Sequence, residues 1–320
     1  MRRLSAALQA IGRHPRLAAL LGAGCIAFSG IFYRFADEPP STATLFRCLY
    51  GLPIVALVGA WERRRFGPLP RRTVGLAFVA GVFFAADLTF WHHAIEAVGA
   101  GLSTVLGNLQ VIVVGLIAWL VLGERPQRAT IAALPVVLAG VVLISGVVGE
   151  GAYGADPALG VVLGLLTALA YAGYLILIRR GGSDVRRPAG PVAISTASTA
   201  AVALLVGLLL GEIQPVPSWP AHGWLALYGV TSQSLGYLLI SISLPRLPSL
   251  VASILLLAQP VASFILAGIL LGEDPSPAQV LGVVLVIGGI GVATLASAGL
   301  RRARLAAESG PSNPEVAAPS

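Results

Sequence analysis

The sequence predicts an all-α integral membrane protein: ten transmembrane helices arranged as two inverted five-helix repeats. Three observations predict it: an extreme composition, ten apolar runs of spanning length, and an internal echo of one short motif. Of 320 residues, 56% are hydrophobic and only 11% charged, where soluble domains run near a quarter charged. Such a chain cannot cover its own surface with polar groups, and a bilayer is a solvent that needs none. The pI near 10.1 does not indicate nucleic acid, because the basic residues, all arginine, fall in short clusters between apolar stretches rather than on one face or tail. Cys25 and Cys48 both lie inside apolar runs, where a free cysteine behaves as a small inert hydrophobe. Neither a disulfide framework nor a metal site is expected from them.

A helix needs about 20 mostly apolar residues to cross the hydrocarbon core. Runs of that kind occupy 17–36, 42–61, 73–95, 99–122, 129–148, 158–178, 189–211, 221–243, 248–271 and 277–298. The connections are short and marked by proline, glycine and charge, as in Glu38-Pro39-Pro40 or Gly181-Gly182-Ser183. Residues 1–16 form a basic N-terminal segment, and the first apolar run reads as an uncleaved span rather than a signal peptide. The polar residues 299–320 read as a disordered tail.

Arginine placement sets the direction. With the N-terminus in the cytoplasm, the inner segments hold Arg63, Arg64, Arg65, Arg71, Arg72, Arg125, Arg128, Arg179, Arg180, Arg186, Arg187, Arg246, Arg301, Arg302 and Arg304, besides those near the start. The outer connections hold acidic residues, among them Glu96, Glu212 and Glu273. Only Arg34 and Arg47 break the pattern. A multi-pass protein of the cytoplasmic membrane with both termini inside is expected.

Span four ends in Leu122-Gly123-Glu124-Arg125-Pro126 and span nine in Leu271-Gly272-Glu273-Asp274-Pro275. A shift of 149 residues superposes them without a gap and lays Gln110 on Gln259, Ala118 on Ala267 and Gly140 on Gly289. The repeats are 17–148 and 158–298. Five spans is an odd number, so the second half enters the membrane upside down. Two similar halves in opposite orientations generate outward-open and inward-open states of similar energy, which is transporter architecture.

With these features the sequence resembles the EamA-type drug/metabolite transporter superfamily. The resemblance is carried by Arg47 near the start of span two, by the turn from Ala94-Ile95 to Leu102, and by the two Leu-Gly-Glu stretches. It implies ten helices, both ends cytoplasmic, and export or exchange of small metabolites through a cavity between the halves. The second repeat departs from it: by the same shift, Arg47 falls on Thr196.

Ionisable residues at membrane depth are costly and are functional candidates by default. Asp87 and Arg47 lie about 12 Å and roughly 8–9 Å from the outer ends of their spans at 1.5 Å per residue. Their depths suit an ion pair, and two readings stand: a structural clasp, or groups that bind solute or a proton. Phe84, Asp87 and Trp91 share a helical face, suited to an organic cation or amphipathic solute; alternatively Trp91 is an interfacial anchor. His92 and His93 diverge by about 100°, so one, with His93 the candidate, faces the cavity while the other meets headgroups. Asn108, Gln110, Tyr171, Gln233, Tyr237 and Gln259 supply a polar layer at similar depth, each alone equally readable as interhelical glue. Pro260 follows Gln259 and can free a carbonyl at mid-depth.

No nucleophile–base pair, paired carboxylates or metal cluster is apparent, which weighs against an intramembrane enzyme, and no ring of like charge suggests a channel. No Walker A motif is present, so transport is expected to be secondary, with no cofactor. The expected partners are a small solute, the bilayer, protons, and a second copy of the chain through the glycine-rich span ten (Gly288, Gly289, Gly291).

Overall fold

The computed structural model describes residues 14–122, 128–148, 150–181, 186–243, 246–247 and 249–308. The first Leu-Gly-Glu motif beyond Leu122, the first 13 residues and the end of the tail lie outside the described residues. The chain forms α1 (Pro15–Ala27), α2 (Ser29–Ala36), α3 (Pro40–Phe66), α4 (Arg71–Val98), α5 (Ala100–Gly107), α6 (Gln110–Leu122) and α7 (Arg128–Ile144). There follow α8 (Pro157–Gly181), α9 (Ala189–Leu210), α10 (Trp219–Tyr228), a π-helical stretch (Gly229–Gly236), α11 (Tyr237–Ser243), α12 (Ser249–Leu271) and α13 (Pro277–Glu308). No strand occurs among the described residues.

Among the described residues, eight helical segments are long and apolar enough to span a bilayer: Pro15–Ala36, Pro40–Phe66, Arg71–Val98, Ala100–Ile117, Pro157–Gly181, Ala189–Leu210, Trp219–Ser243 and Pro277–Ala296. Each matches an expected run. The remaining two runs fall on shorter apolar helices, Ile131–Ile144 and Leu255–Leu271. Large apolar side chains such as Leu57, Leu209 and Ile269 point outward, the surface a lipid environment favours.

Local chemistry sets the boundaries. Proline opens α1, α3, α8 and α13, at the position where a missing N–H costs no helical hydrogen bond. Glycines in the left-handed region end α4 at Gly99 (φ 88) and α9 at Gly211 (φ 72), where a side chain would be strained. Arg63, Arg64 and Arg65 crowd the last turn of α3, complementing the negative end of the helix dipole.

The packing pairs the two halves reciprocally. α3 lies against α9 and α7 against α13. α4 packs on α8, while the α10–π–α11 segment packs on α1 and α2. α5 and α6 meet α8, and α12 meets α1. The same exchange recurs between side chains: Gly140 takes Val286 against it, and Gly289 takes Val137. Under the 149-residue shift these two contacts are images of one another. On α8, Gly160 seats against Val98 and Gly164 against Leu106, so small residues let α4 and α5 approach it closely.

Candidate functional site

The polar centre forms where α3, α4, α9 and the π stretch meet. Gly51 and Gly229 let α3 and the π stretch approach backbone to backbone: a Cβ on Gly51 would lie 2.9 Å from Gly229 O, and one on Gly229 2.6 Å from Arg47 O. That crossing brings Gln233 to Arg47. Arg47 is buried; its Nε donates to Gln233 Oε1 at 2.8 Å and its Nη1 to the Tyr228 hydroxyl at 2.6 Å. Its guanidinium carbon stands 4.5 Å from the Tyr228 ring centroid and 5.6 Å from that of Phe84, within cation–π range. Gln233 Nε2 donates to Thr196 Oγ1 at 2.9 Å. Gln233 therefore links Arg47 to the residue that occupies its place in the second half.

The expected Arg47–Asp87 ion pair is not formed. Asp87 is buried on α4, yet no contact within 4.0 Å joins its carboxylate to Arg47. Equal depth does not ensure contact: the guanidinium turns toward α10 and the π stretch, where a carbonyl and a phenol match its fork. Asp87 makes no hydrogen bond or ion pair among the described residues, and Nη2 of Arg47 likewise has no hydrogen-bond partner among them.

Aromatic rings surround this centre. Phe84 stacks on Tyr174 with centroids 4.7 Å apart and meets Tyr237 edge-on at 5.6 Å, while Tyr171 stacks on Tyr174 at 5.5 Å. Trp91 is buried in the same cluster, which removes its reading as an interfacial anchor. Asn108 sits at the break between α5 and α6 and donates from Nδ2 to Thr104 O at 2.8 Å, so it closes its own helix. The Gln110 side-chain oxygen is buried without a partner among the described residues. Gln259 is half-buried on α12 beside Pro260. Neither Gln110 nor Gln259 is brought to Arg47 by any hydrogen bond among the described residues.

The two histidines separate. His93 lies near the end of α4 between two carboxylates, Nδ1 3.4 Å from Glu96 and Nε2 3.3 Å from Glu212. His92 is fully buried, with Nδ1 2.9 Å from Thr44 Oγ1, Nε2 3.1 Å from the Tyr228 hydroxyl, and its ring stacked 4.2 Å from Tyr33. The inner partner of the polar centre is thus His92, where the sequence had favoured His93.

Carboxylates clasp three helix N-termini, where amide donors lack intrahelical acceptors. Glu273, just past α12, accepts from Ala100 N at 2.5 Å and Gly101 N at 2.9 Å at the start of α5. Burial pushes its carboxyl above the usual carboxylate range, and the two amides pull it the other way. Glu212, past α9, takes Ser41 N and Oγ at the start of α3; Glu62, late in α3, takes Ala189 N and Gly190 N at the start of α9. Beside Glu273 a cavity of about 260 Å³ is lined by Arg34, Ile95, Glu96, Gly99, Tyr153, Gly154 and Ala155.

Fold and site together define a multi-pass membrane protein built around a buried polar centre. The chain belongs to the EamA-like transporter family, whose match covers residues 16–146 and 158–295. Similar proteins include the uncharacterized transporter YwfM of Bacillus subtilis (strain 168), 26% identical over 67% of this chain and 71% of that protein. A second, an uncharacterized protein of Pseudomonas aeruginosa, is 28% identical over 77% of this chain and 81% of its own length. A solved crystal structure superposes with a TM-score of 0.60 at 22% identity, covering 88% of this chain and 98% of that one; it shows a shared fold.

Proposed function

We propose that the protein is a secondary transporter of the cytoplasmic membrane that exports a small zwitterionic metabolite by alternating access between two inverted five-span halves. The observation that carries this reading is the pair of buried ionisable side chains, Arg47 and Asp87, that make no direct contact with each other. Among the described residues Arg47 holds Gln233 and Tyr228 with no hydrogen-bond partner for Nη2, and Asp87 has no hydrogen bond or ion pair within 4.0 Å. Uncompensated buried charge is costly, and a ligand bearing a carboxylate and an ammonium group compensates both. The rings of Phe84, Tyr171, Tyr174 and Tyr237 suit an apolar or aromatic remainder on that ligand. Reciprocal packing of the halves, and the image contacts at Gly140 and Gly289, support the inverted repeat and, with it, ten spans. Membership of the family and the transporter-named relative favour transport over enzymatic chemistry.

The test compares solutes inside and outside cells carrying wild type, Asp87→Asn or an empty vector. A zwitterion accumulates outside with wild type alone at equal membrane abundance. If wild type and empty vector match across a panel of amino acids and related zwitterions, the substrate reading is wrong.

Glu273 closes the outer side in this reading. Glu273→Gln replaces one acceptor oxygen by a donor facing backbone amides; losing one charge-assisted bond shifts opening about ten-fold. Ala155→Cys at the rim of the neighbouring cavity is then modified faster by an impermeant thiol reagent from outside in the Glu273→Gln background. Equal rates rule out the clasp as a gate.

A further inference from the structure

The hydrogen bonds around His92 run in one direction. Thr44 Oγ1 donates its single hydrogen to Pro40 O at 2.9 Å, so at its 2.9 Å contact with His92 Nδ1 it accepts. With the Thr44 hydrogen on Pro40 O, the ring proton is assigned to Nδ1, and Nε2 accepts from the Tyr228 hydroxyl at 3.1 Å. The phenol oxygen in turn accepts from Arg47 Nη1 at 2.6 Å. The chain reads Arg47 to Tyr228 to His92 to Thr44 to Pro40, each group donating to the next, and it joins α3, α4 and α10.

We propose that His92 is the positioning residue for Arg47: with its proton on Nδ1 it holds the arginine through Tyr228, and uptake of a second proton on Nε2 releases it. The doubly protonated ring donates from both nitrogens, so Tyr228 would face donors on both sides while its own hydrogen loses its acceptor. It would also set a second cation beside Arg47. The titratable groups facing His92 are Tyr33 from α2, Arg47 from α3, Tyr228 from α10, and its neighbour His93 on α4. Among the described residues no carboxylate comes within 4.0 Å of it. Solute binding therefore weakens on acidification through His92, a conclusion that rests on Arg47 being a solute ligand.

Two measurements on the full-length protein in lipid nanodiscs test this. In spectra of protein labelled with 15N-histidine, the signal missing from His92→Gln, one of four histidines in the chain, shows the Nδ1–H form at neutral pH, and Thr44→Val shifts it toward Nε2–H. An Nε2–H form in wild type overturns the proposal. L-phenylalanine serves as the zwitterionic probe for binding. Its affinity falls below pH 7.5 in wild type, reaching about a ten-fold loss at the acid end of the range over which the protein stays folded, the scale of one hydrogen bond to a charged group. His92→Gln, which keeps an untitratable amide acceptor, starts a few-fold weaker and shows less than a two-fold fall. Tyr228→Phe is about ten-fold weaker at pH 7.5 and equally flat. A full acid loss in folded His92→Gln places the titration elsewhere and ends the proposal. If phenylalanine binds wild type at no pH, the zwitterion reading fails instead, and the tautomer with its response to Thr44→Val decides the proposal alone.

Discussion

Arg47→Ala abolishes transport while the protein still reaches the membrane. The substitution removes two hydrogen bonds to a charged donor, each about 1.5–3 kcal/mol, strands Gln233 Oε1 and leaves the Tyr228 hydroxyl only its contact with His92. A loss of roughly 100-fold or more in solute affinity follows, since about 3 kcal/mol corresponds to that factor. Arg47→Lys is the sharper variant. An ammonium is a point charge and cannot reach two acceptors in the geometry of the fork, so about a ten-fold loss is expected even with the charge retained. Uptake into inverted vesicles, normalised to protein abundance, reads both. Lysine at wild-type activity would mean that only charge matters and that the contacts to Gln233 and Tyr228 are incidental.

Gly282→Leu has the largest effect on the fold. α7 and α13 cross with their backbones nearly touching: a Cβ on Gly282 would lie 2.6 Å from Gly140 O, and one on Gly140 2.7 Å from Gly282 O. Carbonyl backbone cannot step aside as a flexible side chain does. Overpacking of ordinary cores costs about 1–3 kcal/mol, and leucine here exceeds that because it forces two helices apart. Thermal unfolding in detergent is expected to lose its cooperative transition or to shift it down by several degrees. Gly288→Leu serves as the control, since a Cβ there meets nothing within 4 Å. Equal damage from both substitutions would show that length of side chain, not the crossing, is responsible.

Most of the architecture was legible because hydropathy, arginine placement and turn residues act locally and independently. The eight long spans coincide with runs read directly from the sequence. The site was only partly legible. Arg47 and Gln233 stand out as polar residues in apolar runs, but their direct contact depends on how α3 crosses the π stretch. Tyr228 was missed for a specific reason. It precedes Gln233 by five residues, which α-helical periodicity places about 140° apart. Over Gly229–Gly236 the helix is π-helical, and i→i+5 geometry brings them onto one face. The Ser234 hydroxyl bonding back to Gly229 O, five residues earlier, reflects the same geometry. No periodicity in the sequence announces that change. The Arg47–Asp87 pair was misjudged because depth along a helix says nothing about rotation around it.

The reciprocal ties between α3 and α9 have a mechanical consequence. Glu62 fastens one end of the pair and Glu212 the other, so the two helices cannot splay at either end without breaking a carboxylate–amide contact. They behave as a single beam. Motion that exposes the polar centre has to bend the molecule elsewhere, and the flexure points are the interruptions at Phe28, at Asn108–Leu109 and along Gly229–Gly236, each flanking a helix that meets the beam or its neighbours.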